Sequence, residues 1–363
     1  MPRKVIDLHF SAGVNRRSGL RASSMQRGEY PAPWAMNCRL EDALTNRLRG
    51  GSFTGIAAGS RPEVLYRDRM ITFSGNAITA SRQGRHADTE MRGDVADQQR
   101  PVLIQLAEAA DTGGTVVAVV PHKDAYLLCF TADSTWVLSG DPATGTLRRV
   151  SDQVGIIGEN AWCVAHDTVY FLSSHGLYAV GANGSDLKAV SEDKIPEDLT
   201  SVSDSDCTLT YNHADRGVYV HLTVDPDWFY DIARGQFWPF DTDTTDSHVL
   251  IGPVKLGGAD SLGMIEEMHG IMAQGSASVV WRIVRGDTAE EAAANGKAAI
   301  TAALAGSSYA SYVRKSGAWA AGRSQTASPR VTAMYACLWL SSAGTWAYEG
   351  ITLKLLSSGK WRK

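Results

Sequence analysis

The chain has no CxxC pair, and no apolar run approaches the roughly 20 residues a membrane-spanning helix needs. No apolar stretch follows the basic start Met1-Pro-Arg-Lys, so we expect no signal peptide, no membrane insertion and synthesis in a reducing cytoplasm. Five cysteines, Cys38, Cys129, Cys163, Cys207 and Cys337, stand far apart and read as buried free thiols. There is no GxSxG, no HExxH and no Gly-rich loop followed by Lys-Ser/Thr, so nucleophile-elbow, zincin and P-loop chemistry have no foothold. We expect no cofactor and no catalytic residue.

What is plentiful points to β structure. The 363 residues carry 35 Gly and 10 Trp, which suits a turn-rich sheet protein. Charge is segregated. Residues 1–100 hold 16 Lys and Arg against 10 Asp and Glu, and residues 301–363 hold 8 against 1, while the middle is strongly acidic. Both ends are basic. Scattered solvated charge is the plain reading. The functional readings are subunits with complementary charge, or an acidic wall that DNA passes without sticking.

Residues 124–180 hold two copies of one pattern: an apolar strand, a tight turn, and a second strand with an aromatic near its start. Further copies start at Asp68, Asp215 and, in weaker form, Asp260. In the last, residues 262–266 and 271–273 are read as strands around a turn at 267–270. The spacing of 43 to 56 residues is close to one propeller blade. The polar loop 82–99 reads as an insertion. Outer strands come from the connections, at 114–120 and 160–165. A lone hairpin cannot bury both faces, so repeated hairpins must stack, and radial stacking protects the edges. The expected fold is all-β: a β-propeller of about 5–7 blades, with a β-sandwich as the alternative.

The predicted organisation is an N-terminal arm over residues 1–55, blades over 56–275, and a smaller C-terminal β region or ring closure over 276–363. Residues 38–48 read as a short helical turn or an edge strand. Asp287-Thr-Ala-Glu-Glu carries an N-cap and an acidic first turn, the clearest helix signal in the chain, with Gly296 predicted to split it in two.

Candidate sites are few. His122, His166 and His213 recur at hairpin starts, which fits a repeated corner position better than a metal centre. The acidic run Asp225, Asp227, Asp231, Asp241, Asp243 and Asp246 lacks a downstream Glu and reads as an exposed loop rather than a calcium site. Residues 131–136 are faintly like the Asp-box turn of sialidases but lack its Gly. Arg16, Arg17, Arg21 and Arg27 in the arm, with Lys360, Arg362 and Lys363 in the tail, are candidate contacts to phosphates or to acidic neighbouring subunits.

Three stretches carry a resemblance. They are the arm (Asp7-Leu-His-Phe-Ser-Ala-Gly, Met36-Asn-Cys-Arg, Leu48-Arg-Gly-Gly), the blade pair (Asp133-Ser-Thr-Trp-Val-Leu-Ser-Gly-Asp-Pro, Val169-Tyr-Phe-Leu-Ser-Ser-His-Gly-Leu-Tyr) and Trp228-Phe-Tyr-Asp-Ile-Ala-Arg-Gly-Gln-Phe-Trp-Pro. Together they resemble the tail nozzle and packaged-DNA stabilisation proteins of tailed bacteriophages, which are β-propeller proteins of the head–tail junction. The resemblance spans most of a chain shorter than the larger nozzle proteins. It implies a virion protein in a homo-oligomeric ring, often a hexamer. Its expected partners are a portal or adaptor ring, other tail proteins, and genomic DNA held without sequence specificity. No catalytic residue comes with it. The other readings are a tail-tip adhesin that binds a receptor or glycan, and a glycan-cleaving enzyme.

Overall fold

The computed structural model describes residues 3–8, 34–42, 47–50, 64–91, 97–107, 114–195, 198–200, 202, 206–223, 226–240, 246–258, 261–320 and 324–360. The fold is all-β, built of small antiparallel sheets with one helix among the described residues. It divides into two compact units. One joins Met1–Gly55 to Pro226–Lys363, and the other is Ile56–Asp225.

The discontinuous unit begins with β1 (Arg3–Leu8), β2 (Trp34–Met36), β3 (Cys38–Asp42) and β4 (Arg47–Gly50). The ambiguous stretch 38–48 is therefore a hairpin at a sheet edge, not a helical turn.

The continuous unit follows. Its first sheet is β5 (Val64–Tyr66), β6 (Arg69–Ser74), β7 (Ala77–Ala80) and β8 (Val102–Gln105). Its second is β9 (Val116–His122), β10 (Tyr126–Thr131), β11 (Thr135–Ser139) and β12 (Thr146–Ser151). Its third is β13 (Trp162–Ala165), β14 (Thr168–Ser173), β15 (Gly176–Gly181) and β16 (Lys188–Ala189). A hairpin of β17 (Thr208–Asn212) and β18 (Gly217–His221) ends the unit. Each four-stranded sheet is a meander in sequence order.

The sheets stack face to face. Ile71 and Ile78 of the first sheet share a core with Leu127, Cys129, Trp136 and Leu138 of the second. The opposite face of the second sheet meets the third, where the rings of Phe130 and Phe171 lie 4.7 Å apart. First strands are neighbours, β5 beside β9 and β13 beside β17. The repeat is visible in the register: Thr72 faces Thr79, Cys129 faces Trp136, and Phe171 faces Tyr178. These pairs share one face in each sheet. In the second and third sheets it is packed. In the first it is open, with Leu65 54% and Leu103 51% exposed.

The discontinuous unit resumes with β19 (Asp227–Asp231), β20 (Gln236–Phe240), β21 (Ser247–Lys255), β22 (Ser261–Met272) and β23 (Val279–Gly286). The helix α1 (Ala289–Leu304) follows. Then come β24 (Val313–Trp319), β25 (Ser324–Ala327), β26 (Val331–Ala333), β27 (Tyr335–Ser342) and β28 (Trp346–Lys360). A five-stranded sheet runs β2-β21-β27-β23-β24. A seven-stranded one runs β25-β22-β28-β4-β3, with β1 on β28 and β26 on β22.

Two expectations fail here. The weak copy at residues 262–273 is no hairpin but one 12-residue strand, β22, paired along β28. At the supposed turn, Glu267 faces outward to Lys354, and Gly270 lies flat against the Trp319 ring, where a Cβ would sit 3.0 Å from its carbons. Glycine there admits a ring rather than a reversal. The second failure concerns Gly296, which does not split the helix. α1 is continuous for 16 residues, capped by Thr288, whose hydroxyl accepts from the Glu291 amide. Gly296 faces Leu250, and an added Cβ would fall 2.6 Å from its methyl carbon. Ala292, Ala299 and Ile300 beside it pack on Leu250, Val284, Cys337 and Trp339.

Candidate functional site

Most of the charged contacts suggested by the sequence lie outside the described residues: Arg16, Arg17, Arg21, Arg27, Arg362 and Lys363. Lys360 ends β28, its backbone opposite Ser261. Of the acidic run, Asp225, Asp241 and Asp243 lie outside the described residues. Asp231 is buried, its carboxylate accepting from Arg234 at 2.6 Å in a local turn. Among the described residues no three His, Cys, Asp or Glu side chains gather as metal ligands, and no helix is long and apolar enough to cross a membrane. All five cysteines are buried.

The histidines at the hairpin starts lead instead to a chain of corners. The first turn of each sheet in the continuous unit carries a basic residue followed by Asp: Arg67-Asp68, Lys123-Asp124 and His166-Asp167. Tight hairpins need positive φ at their centre. Arg67 (50°), Asp68 (61°), Lys123 (53°), Asp124 (50°) and His166 (55°) supply it without glycine. Asp tolerates that conformation because its short polar side chain bonds locally. Each basic residue then reaches the next corner. Arg67 Nε donates to the Asp124 carbonyl, Lys123 Nζ pairs with the Asp167 carboxylate, and His166 Nε2 lies 3.2 Å from the Tyr211 hydroxyl. The Lys123 ammonium holds the Asp167 carboxyl below the usual carboxylate range. These pairs are exposed, so each adds little by itself. Their regularity sets how one sheet follows the next.

Beside these corners a cleft of about 620 Å³ opens between the second and third sheets. Tyr126 stands on the side of the second sheet, and Asp167, Thr168 and Tyr170 line the β14 side. The loop after β15 contributes Asn183, Ser185, Asp186 and, at the start of β16, Lys188. That loop is an Asx turn: the Asn183 side-chain oxygen accepts from the Ser185 amide, and the Ser185 hydroxyl donates to Asp186. His122 pairs across the strands with Tyr126 and so shares its face. The imidazole is buried, and neither ring nitrogen finds a hydrogen-bond partner among the described residues. Burial, and then the charge of Lys123, lower its pKa. Sequence reasoning passed over this cleft. Its only signal is the turn-rich Asn183-Gly-Ser-Asp segment, which looks like any polar loop until Tyr126 faces it.

Trp136 and Tyr178 do not line a site. They hold equivalent cross-strand positions, and Trp136 is buried with its indole nitrogen donating to Ser134 Oγ at 2.8 Å. Two further anchors escaped the sequence. Arg69 is fully buried and bound to Asp141. Arg282 lies 4.0 Å over the Trp339 ring.

No family model matches the chain, and neither does any curated protein. Among solved structures it is similar to the extracellular domain assigned to a hybrid two-component system of B. thetaiotaomicron. The identity is 10%, with 56% of this chain and 27% of that one covered, at a TM-score of 0.32. It is also similar to PorZ, a bacterial surface component of the type-IX secretion system of Porphyromonas gingivalis. Here the identity is 15%, the coverage 52% and 23%, and the TM-score 0.24. The chain thus spans about a quarter of the length of either, and likeness at these scores carries no argument.

Proposed function

We propose that this chain is a structural virion protein of the phage head–tail junction or tail nozzle. Its four-stranded meanders act as propeller-type blades in a wall around the DNA channel. The observation that carries the reading is the chain of Arg67, Lys123 and His166 corners, each reaching the next sheet, over a stack whose inner cores are closed. Stacked meanders with first strands side by side are what radial blades require. Such a body is stiff, and stiffness is what a channel wall needs. The acidic middle of the chain faces the passing DNA and repels it, while the basic arm and tail hold neighbouring subunits. In that reading the partners are further copies of the chain in a ring, a hexamer by resemblance, with a portal or adaptor ring above. Genomic DNA passes inside.

Electron microscopy of the assembled particle tests this. The expected result is a ring of these chains at the junction, and particles lacking the protein should leak their genome or fail to infect. Particles that lack it yet retain DNA and infect normally would sink the proposal.

A further inference from the structure

We propose that the cleft between the second and third sheets of the continuous unit binds a neutral sugar unit of an oligosaccharide. The inference goes beyond the wall function and needs none of it.

The argument starts from charge. Asp167 is already paired with Lys123, and Asp186 and Lys188 lie on the loop side with opposite signs. The cleft therefore offers no net charge to attract an ion. Among the lining residues there is no arginine to recognise a phosphate or an acidic sugar. What the lining does offer is a dense mixture of acceptors and donors. Carboxylate oxygens only accept, the Lys188 ammonium only donates, and the Thr168 hydroxyl and the Asn183 amide do both. A ring of hydroxyl groups, each able to donate and accept, is the ligand that satisfies such a set.

The aromatic residues fit the same ligand. Tyr126 is half-buried and presents an apolar ring with a polar tip, the combination suited to the C–H face of a sugar. The cleft's size of about 620 Å³ lies within the ordinary range for small-molecule sites. Its openness to solvent and its modest aromatic area set the expected affinity at ~0.1–10 mM, the strength of a few net hydrogen bonds.

Saturation-transfer NMR on the full chain tests the site, with maltotriose, cellotriose, mannotriose and galactotriose as neutral probes and 3′-sialyllactose as the acidic one. At least one neutral probe should give signal, with the acidic probe weaker. Tyr126→Ala should weaken binding at least ~10-fold. Asp186→Asn should weaken it ~3–10-fold. Asparagine accepts the positive φ of Asp186 (54°), so this second variant keeps the fold if Tyr126→Ala does not. Silence from all four neutral probes at 10-fold above ~10 mM would overturn the proposal. So would binding unchanged in Asp186→Asn with its melting temperature intact, or tighter binding of the acidic probe. None of these outcomes bears on whether the chain forms a ring in a particle.

Discussion

The guanidinium of Arg69 lies 3.2 Å from the carboxylate of Asp141, and its side chain is fully buried. Asp141 sits in the turn between β11 and β12, so the pair ties the second sheet to the first. The same guanidinium donates to the carbonyls of Ser81, Gln98 and Arg100, which fastens both ends of the long insertion after β7. Removing one partner of a buried pair strands the other and costs ~3–5 kcal/mol. Arg69→Leu is therefore expected to destabilise the protein by about that amount in urea unfolding, because it strands four carbonyls, those of Ser81, Gln98, Gln99 and Arg100, as well as Asp141. Asp141→Asn, which keeps an acceptor oxygen on a side chain 18% exposed, should cost less. Equal losses in both variants would contradict this division of roles.

Trp136, Tyr178 and Thr79 occupy one position in three successive sheets. The residue is aromatic where another sheet covers that face and threonine where the face is open. Burial rather than ligand contact explains the aromatic ring. Trp136→Ala removes a side chain with 1% exposure and should cost ~3–5 kcal/mol, while Thr79→Ala should stay within ~1 kcal/mol. Chemical denaturation measures both, and a costly Thr79→Ala would mean that the open face is covered in solution.

Repeats with their own turns were legible in the sequence, because short hairpins are local. Asp68, Asp124, Asp167 and Asp215 mark the starts because Asp favours turns through local side-chain bonds, and Asp68 and Asp124 themselves hold positive φ. What the sequence hid depends on distant partners. Gly270 and Gly296 read as breakers, and only the Trp319 ring and the Leu250 side chain reveal them as close-approach positions. Arg69 looks like one more surface charge until Asp141, 72 residues away, closes over it. The cleft needed Tyr126 and Asn183 brought together from different sheets. No periodicity encodes that.

Gly296→Ala gives a sharp test of packing against propensity. Alanine favours a helix interior by ~1 kcal/mol over glycine. Here its methyl carbon would meet Leu250 at 2.6 Å, on the buried face of α1. Overpacking a closed core costs ~1–3 kcal/mol. The net expectation is destabilisation, relieved in the double variant Gly296→Ala/Leu250→Ala relative to the sum of the singles. A single variant more stable than the parent would show that Leu250 yields freely.

All five thiols are buried, and burial pushes the Cys38, Cys129 and Cys337 thiols well above their ordinary range. A thiolate is the reactive form, so the native chain should resist thiol-reactive dyes while the urea-unfolded chain titrates five groups. Fast labelling of the native protein would mean that one of these cores opens readily.

His248 makes stability depend on pH. Its Nδ1 accepts from the Trp339 indole at 3.2 Å, and burial lowers its pKa from 6.5 to about 4. Asp246 opposes that shift and Arg282, stacked on the same indole, adds to it. In the unfolded chain the imidazole takes up a proton near its ordinary pKa, but in the folded chain it does not until about pH 4. Above pH 6.5 both states are neutral and the group contributes no slope. As pH falls from there toward 4, the unfolded state binds more protons, and stability drops by ~1.4 kcal/mol per unit. Below pH 4 both states are protonated and the loss levels off at ~3 kcal/mol. His248→Asn keeps an acceptor for Trp339 and cannot titrate. Urea unfolding of the two proteins between pH 8 and ~3.5 should therefore give curves that differ by a constant at high pH and converge by ~3 kcal/mol across the window. Parallel curves would show that the folded and unfolded pKa values of His248 coincide, with Asp246 cancelling the effect of burial.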